Sequence, residues 1–139
     1  MAGYVLDTSA IMAYLYDEPE SEQVEAAVFS GETVLMPFMS LMEVEYKLLQ
    51  ELKDDLDVGE RMAALSKWPV EVIESEPPWR RIAARVKSQG RISLADSWVA
   101  ALALLNDLEL MHKDPEFDAV QGLKAVRLPY DRDATGRGA

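Results

Sequence analysis

The feature that most constrains the fold is the segment at residues 3–10, whose sequence is GYVLDTSA. Its short apolar run has no alternating polar face, a pattern typical of a strand buried on both faces of a parallel sheet. The run ends in Asp7, and an amphipathic helical pattern follows it. We therefore expect Asp7 at the carboxyl end of a central strand, where open α/β sheets bind ligands. It is hard to explain as a helix cap, because Thr8 or Ser9 could fill that place.

Short apolar runs alternate with helical patterns along the rest of the chain. Further strands are predicted at residues 32–36, 69–73, 108–111 and 125–128, with one or two helices between successive strands. Because such alternation requires crossover connections, which are right-handed, the strands should form a mainly parallel sheet with helices on both faces. The predicted fold class is α/β, a three-layer α/β/α sandwich with about five strands.

The composition is that of a single globular domain. The chain has 139 residues, of which 49% are hydrophobic, enough to bury an ordinary core. We predict one domain over residues 1–130, since no repeat or linker divides it, and a disordered tail over residues 131–139, which lack periodicity. No apolar run could span a bilayer and no signal peptide begins the chain, so we expect a cytoplasmic protein that does not bind membranes.

Four carboxylates lie at the end of a predicted strand or in the first turn of a predicted helix. They are Asp7, Glu43, Asp96 and Asp114. The chain has no cysteine and one histidine, so thiolate sites and sites with two histidines from one chain are excluded. Convergent carboxylates without such ligands specify a hard cation, Mg²⁺ or Mn²⁺. A cation of this kind activates water and holds a phosphate oxygen, which is the chemistry of phosphodiester hydrolysis.

Three of these acids also have a structural interpretation as helix caps. Residues 40–43 match the capping box, in which Glu43 would hydrogen-bond back to the first residue of the motif. Residues 93–96 match the same motif with a shorter acid, although Asp96 lies in so apolar a helix that its charge needs a further partner. Asp114 precedes a proline and has the sequence of a good N-cap.

Taken together, these motifs resemble the PIN-domain nucleases, and within them the VapC toxins of type II toxin–antitoxin pairs. The resemblance rests on the segments at residues 5–10, 40–44, 92–97 and 113–117. Their order and spacing cover nearly the whole chain. The acidic metal-site positions of the family are matched by Asp7, Glu43, Asp96 and, at the more variable fourth position, Asp114. The hydroxyl that supports the first acid is matched by Thr8 or Ser9.

The sequence departs from the family pattern at two positions beside these acids. His112 stands where the family often has threonine, two residues before the fourth acid, and Ser97 stands where a small apolar residue is usual. Asp118 is a further carboxylate nearby that could share the role of Asp114. His112 is the only conventional general base, but a lone histidine beside a strand end is more often structural, so we do not predict a catalytic role for it.

The resemblance implies a ribonuclease dependent on Mg²⁺ or Mn²⁺ that leaves 5′-phosphate and 3′-hydroxyl ends. It also implies a homodimer and a VapB-like antitoxin as partner. The net charge of −11 does not favour binding RNA through overall charge, although it suits a basic protein partner.

One segment of the chain is basic, and it contains Arg80, Arg81, Arg85, Lys87 and Arg91. Arg85 and Arg91 are candidate RNA-binding residues, because this segment directly precedes the helix with Asp96. The alternative is a solvated helix face beside the acids of residues 71–76.

Two other functions remain open for a chain with these motifs. One is a catalytically inactive PIN-like binding or scaffold module, and the other is a PIN nuclease that acts in RNA processing rather than as a toxin. The presence of all four acids argues against the inactive module. A receiver domain would need paired acids after the first strand, and an Asp-x-Asp phosphatase would need an acid in place of Ser9.

Overall fold

A computed structural model describes residues 2–129 of the chain, and five strands form one sheet in it. The strands are β1 (Gly3–Leu6), β2 (Thr33–Pro37), β3 (Glu71–Ile73), β4 (Glu109–His112) and β5 (Ala125–Arg127). Their order across the sheet is β3-β2-β1-β4-β5, and every neighbouring pair is parallel. The predicted fold class is confirmed, with β1 at the centre as expected. The predicted tail at residues 131–139 lies outside the described residues.

Six α-helices and one short 3₁₀ helix connect the strands. They are α1 (Thr8–Leu15), α2 (Ser21–Val28), α3 (Phe38–Leu52), α4 (Asp55–Leu65), α5 (Pro77–Ser88), α6 (Leu94–Asn106) and the 3₁₀ helix η1 (Pro115–Ala119). Within residues 2–129, none of these helices has the length and hydrophobicity needed to cross a membrane.

The sheet separates two hydrophobic cores, one on each face. Leu6, Met36 and Met111 belong to the core made with α1 to α4, whereas Val5 and Leu110 belong to the core made with α5 and α6. Successive strand residues point to opposite faces, so a central strand covered on both sides has to be apolar at every position. This explains why the run before Asp7 shows no polar alternation.

The close packing of β1 on β2 requires a glycine at the start of β1. A Cβ atom at Gly3 would lie 2.4 Å from the carbonyl oxygen of Thr33, well inside van der Waals contact. The glycine therefore permits the pairing of Gly3 with Thr33, the register in which β1 ends beside Asp7.

Candidate active site

Asp7 is buried at the point where β1 ends and α1 begins. Its side chain is 4% exposed, and its Oδ2 atom accepts hydrogen bonds from the backbone nitrogen of Ser9 at 3.1 Å and from Ser9 Oγ at 2.5 Å. Asp7 is thus the N-cap of α1. The expectation that Thr8 or Ser9 would fill this place was wrong, because both lie inside the first turn.

Burial raises the pKa of Asp7 to about 6, because desolvation disfavours the charged carboxylate. The two hydrogen bonds from Ser9 oppose this rise, and the negative charges of Glu43 and Asp114 add to it. Asp7 therefore carries its charge in an unfavourable setting that a nearby cation would relieve.

The two hydroxyls after Asp7 support different acids. Ser9 Oγ donates to Asp7 and accepts a hydrogen bond from the backbone nitrogen of Lys113 at 2.9 Å. Thr8 Oγ1 instead donates to Glu43 Oε1 at 2.6 Å. The sequence offered Thr8 or Ser9 as the support of the first acid, and in the structure the hydroxyl on Asp7 is that of Ser9.

Glu43 does not form the capping box that residues 40–43 suggested. Helix α3 begins at Phe38, so Ser40 lies inside the first turn with its hydroxyl buried. Among residues 2–129 that hydroxyl has no hydrogen-bond partner. The carboxylate of Glu43 is thereby left to accept from Thr8 and to lie 3.9 Å from the ammonium of Lys47. The cap interpretation of Glu43 was wrong.

The capping box of α6 is completed by an acid from another part of the chain. Ser93 caps the helix by accepting from the backbone nitrogen of Asp96 at 3.2 Å. The reciprocal bond comes from Glu116 in η1, whose Oε1 accepts from the backbone nitrogen of Ser93 at 2.6 Å. Asp96 is therefore released from the capping role that its position predicted.

Asp96 shares a hydrogen bond with Glu116, and the two carboxyl groups respond in opposite directions. Burial, the charge of Asp7 and this hydrogen bond raise the pKa of Asp96 to about 8. The backbone hydrogen bond from Ser93 lowers the pKa of Glu116. Asp96 is accordingly the protonated partner near neutral pH. No sequence pattern singles out Glu116, which looks like an ordinary acid in the first turn of a helix.

Asp114 caps η1, as its position before proline predicted. Its Oδ1 atom accepts from the backbone nitrogen of Glu116 at 2.9 Å. Its negative charge also contributes to the raised pKa values of both Asp7 and Asp96. Asp114 therefore caps η1 and is also one of the acids that influence one another. The other carboxylate considered for this role, Asp118, lies 3.7 Å from the guanidinium of Arg127.

His112 is a buried structural residue at the end of β4. Its Nδ1 atom accepts from the backbone nitrogen of Asp114 at 3.1 Å, and its ring packs against Phe117 with centroids 4.9 Å apart. Burial lowers the pKa of His112, which keeps the imidazole neutral. The ring nitrogen that accepts this bond orients the backbone at Asp114.

A buried ion-pair cluster fixes the chain beside the acids. The ammonium group of Lys113 contacts Glu18 Oε1 at 2.8 Å and also contacts Glu20, both from the connection between α1 and α2. The side chains of Lys113 and Glu20 are each 7% exposed. Charges this far from water require partners, so the cluster holds the end of β4 against α1. Nothing in the sequence spacing indicated it.

The four carboxylates belong to one electrostatic group although they come from distant parts of the chain. The charges of Glu43 and Asp114 raise the pKa of Asp7, and those of Asp7 and Asp114 raise the pKa of Asp96. Between residues 2 and 129, no three acidic or histidine side chains are already arranged around a common point as metal ligands. The donor set nonetheless fits a hard cation, since it consists of carboxylate oxygens whose repulsion a dication would relieve.

The basic residues before α6 lie on exposed surface. Arg85 and Arg91 are exposed, and no ion pair joins either of them to a carboxylate of residues 2–129. The same holds for the other three residues of the segment, Arg80, Arg81 and Lys87. This exposure fits both an RNA-binding surface and a solvated helix face.

Comparison with known proteins identifies the family. The sequence matches the PIN domain family over residues 4–123. The chain is a member of the PIN-domain family. It is 29% identical over 133 residues to the VapC ribonuclease Mb0640 of Mycobacterium bovis, an alignment that covers 90% of this chain and 99% of the relative. Ribonuclease VapC30 of Mycobacterium tuberculosis is similar to the same extent, with the same coverage.

Solved structures contain chains with the same fold. The complex VapBC2 from Rickettsia felis, solved bound to a DNA fragment from its promoter, contains a chain that superposes with a TM-score of 0.76 at 14% identity. That superposition covers 91% of this chain and 98% of the other. The resemblance drawn from the sequence motifs is confirmed at the level of family and fold.

Proposed function

We propose that this protein is a ribonuclease dependent on a divalent cation and the toxin of a type II toxin–antitoxin pair. The observation that supports the proposal is the effect of the four carboxylates on one another: Glu43 and Asp114 raise the pKa of Asp7, and Asp7 and Asp114 raise the pKa of Asp96. Two of them, Asp7 and Asp96, have pKa values raised by burial and by the other acids. Groups with strongly perturbed pKa values concentrate at functional sites, and repelling carboxylates of this kind suit a bound dication.

The relatives support the choice of substrate and partner. Two of them are named as VapC ribonucleases and align over nearly their whole length, and similar folds occur in VapBC complexes and in a toxin–antitoxin complex from Klebsiella pneumoniae. We therefore propose that the protein acts on RNA in the cytoplasm and that its partner is a VapB-like antitoxin. A homodimer is proposed on the same grounds.

Asp7, Glu43, Asp96 and Asp114 would hold the cation, which we propose to be Mg²⁺ or Mn²⁺. Bound there, it would lower the pKa of a water molecule and offset the charge that develops on the scissile phosphate. The surrounding residues keep the ligands in place. Ser9 holds Asp7 while also binding the backbone beside Asp114, and Thr8 holds Glu43. Glu116 stabilises the N-terminus of α6, so that the carboxyl of Asp96 is not used for capping.

A cleavage and stability assay with paired variants tests this proposal. Labelled single-stranded RNA and DNA of one sequence are incubated with wild type, Asp7→Asn, Asp96→Asn and the control Asp54→Asn, with Mg²⁺, Mn²⁺, Ca²⁺ or chelator. We expect metal-dependent cleavage of RNA by wild type and control only. The control is matched because Asp54 also caps a helix, α4, but is exposed.

Thermal unfolding provides a readout that does not depend on turnover. A cation that binds only the folded state at a hundred times its Kd stabilises it by about 2.7 kcal/mol. Mn²⁺ should therefore raise the Tm of wild type and of Asp54→Asn, and not that of an Asp7→Asn/Asp96→Asn double variant. Equal stabilisation of all three proteins would show diffuse charge screening, and the proposal of a metal site would have to be abandoned.

A further inference from the structure

A cleft of about 780 Å³ opens between α5, the connection to α6, and η1, and its lining includes Pro115 and Glu116, the two residues that follow Asp114. Its inner lining is apolar and consists of Ile82, Val86, Ile92 and Leu104, all buried or half-buried. Its exposed lining is polar and includes Arg85, Arg91 and Gln121. A volume of this size with an apolar interior and a few polar groups is typical of a site for a small organic group.

Glu116 joins the cleft to the proposed metal site. The same side chain lines the cleft and accepts from the backbone nitrogen of Ser93 at 2.6 Å. The hydroxyl of Ser93 in turn accepts from the backbone nitrogen of Asp96 at 3.2 Å. The cleft therefore begins one side chain away from an acid of the proposed site. A substrate whose scissile phosphate lies at the acids would place a neighbouring group of atoms at the mouth of this cleft.

The charge of the cleft contrasts with that of the protein. Arg85 and Arg91 contribute two positive charges that no carboxylate of residues 2–129 neutralises by an ion pair, in a chain with a net charge of −11. The opposing charge in the lining is Glu116, which is already bound to Ser93. At ordinary ionic strength, charges more than about 10 Å apart are largely screened from each other. An anion in the cleft is therefore attracted by these two arginines more strongly than it is repelled by distant acids.

We infer that this cleft is a nucleotide subsite, which takes one unstacked base of a single-stranded RNA next to the scissile phosphate. The apolar interior would take the base, as in proteins that read single strands by splaying bases out. Arg85 and Arg91 would bind the adjoining phosphate or stack on the base, and the amide of Gln121 would hydrogen-bond its edge. The inference rests on the proposed ribonuclease function, to which it adds a determinant of sequence preference.

Binding experiments with charge-matched variants test the subsite. Wild type, Arg85→Ala/Arg91→Ala and Arg80→Ala/Arg81→Ala are titrated with fluorescent RNA octamers at several salt concentrations in chelator. Both doubles remove two charges, and Arg80 and Arg81 lie on the same helix, α5, outside the cleft lining. The first double should bind at least about tenfold more weakly at low salt, with a log–log salt slope flatter by about 1.4 for two lost contacts. The second should change binding less than about twofold.

A substitution that fills the cleft distinguishes a base-binding subsite from a surface that binds RNA by charge alone. Ala119 lines the cleft in an exposed position at the end of η1, so Ala119→Trp should block the base without removing a charge. We expect a loss of binding similar to that of Arg85→Ala/Arg91→Ala. Where wild type cleaves RNA, Gln121→Ala should change the base that is preferred beside the cleavage position in a random-sequence pool.

The possible outcomes distinguish the subsite from the proposed function. Equal weakening by the two double variants, or unchanged binding by Ala119→Trp, overturns the subsite. A polyglutamate peptide that binds in an Arg85-dependent way, where RNA does not, would assign the cleft to an acidic protein segment instead. RNA binding that depends on the cleft, without cleavage in any metal, refutes the ribonuclease and leaves the subsite. Metal-dependent cleavage of RNA, with RNA binding that none of these variants changes, would support the ribonuclease and refute the subsite.

Discussion

Replacing Asp7 by asparagine should stabilise the metal-free protein at alkaline pH and not at acid pH. Burial raises the pKa of Asp7 from 3.8 to about 6 in the folded state. The folded protein therefore binds a proton at Asp7 more tightly than the unfolded chain does, and it loses stability as the pH rises from about 4 through 6. The loss is complete above that range and corresponds to about 3 kcal/mol.

The expected gain is smaller than this figure, because the substitution also weakens a hydrogen bond. Both bonds from Ser9 end on one oxygen of Asp7, so an asparagine oxygen in that place keeps both, but without the strength that charge adds. We expect a net stabilisation of about 1–3 kcal/mol at pH 8, which for a chain of this size raises Tm by about 3–10 °C. At pH 4 the two proteins should have nearly equal Tm.

Thermal unfolding in chelator at pH 4, 6 and 8 measures this difference. The control is Asp54→Asn, since Asp54 caps α4 through a 3.0 Å bond from the backbone nitrogen of Leu56 at an exposed site. Its Tm should follow that of wild type at each pH. A variant Asp7→Asn that melts below wild type at pH 8, or that gains as much at pH 4, would refute the reasoning from burial and repulsion.

Two further substitutions test the supports around the site. Glu116→Ala removes the acceptor of the Ser93 backbone nitrogen and should destabilise the protein by about 1 kcal/mol. Glu116→Gln keeps an acceptor and should lose less stability. Equal urea midpoints for the two variants would contradict this expectation. Lys113→Met leaves two glutamates around a buried position without their ammonium and should cost about 3–5 kcal/mol in urea unfolding. Adding Glu20→Gln should recover part of that loss, and a wild-type midpoint for the single variant would show that the cluster is dispensable.

The arrangement of strands and the positions of the acids could be predicted because they leave local patterns. A strand covered on both faces has to be apolar at every position, so β1 was visible as a short apolar run. In a parallel sheet the carboxyl ends of the strands lie at one edge, so acids that follow such runs were expected in similar places. Both patterns follow from the residues of the segment itself.

The roles of individual acids could not be predicted, because partners distant in sequence decide them. Helix α3 begins at Phe38, whose ring packs on Trp79 with centroids 6.2 Å apart. Ser40 therefore lies inside the first turn and not at the cap position, so residues 40–43 do not form a capping box. Glu116 supplies the reciprocal bond of the α6 capping box, to the backbone nitrogen of Ser93, from 23 residues away. No sequence motif operates at that separation.

The hydrogen bond from the backbone of Lys113 to Ser9 Oγ joins residues 104 positions apart. The hydroxyl of Ser9, which binds Asp7, is thus itself oriented by the segment that contains Asp114. During synthesis, Asp7 leaves the ribosome long before this segment exists, and until then the chain has neither β4 beside β1 nor a fourth carboxylate. Under the proposed function, a nascent chain that lacks the fourth acid should not cleave RNA, and we expect its own message to be spared until most of the domain has been made.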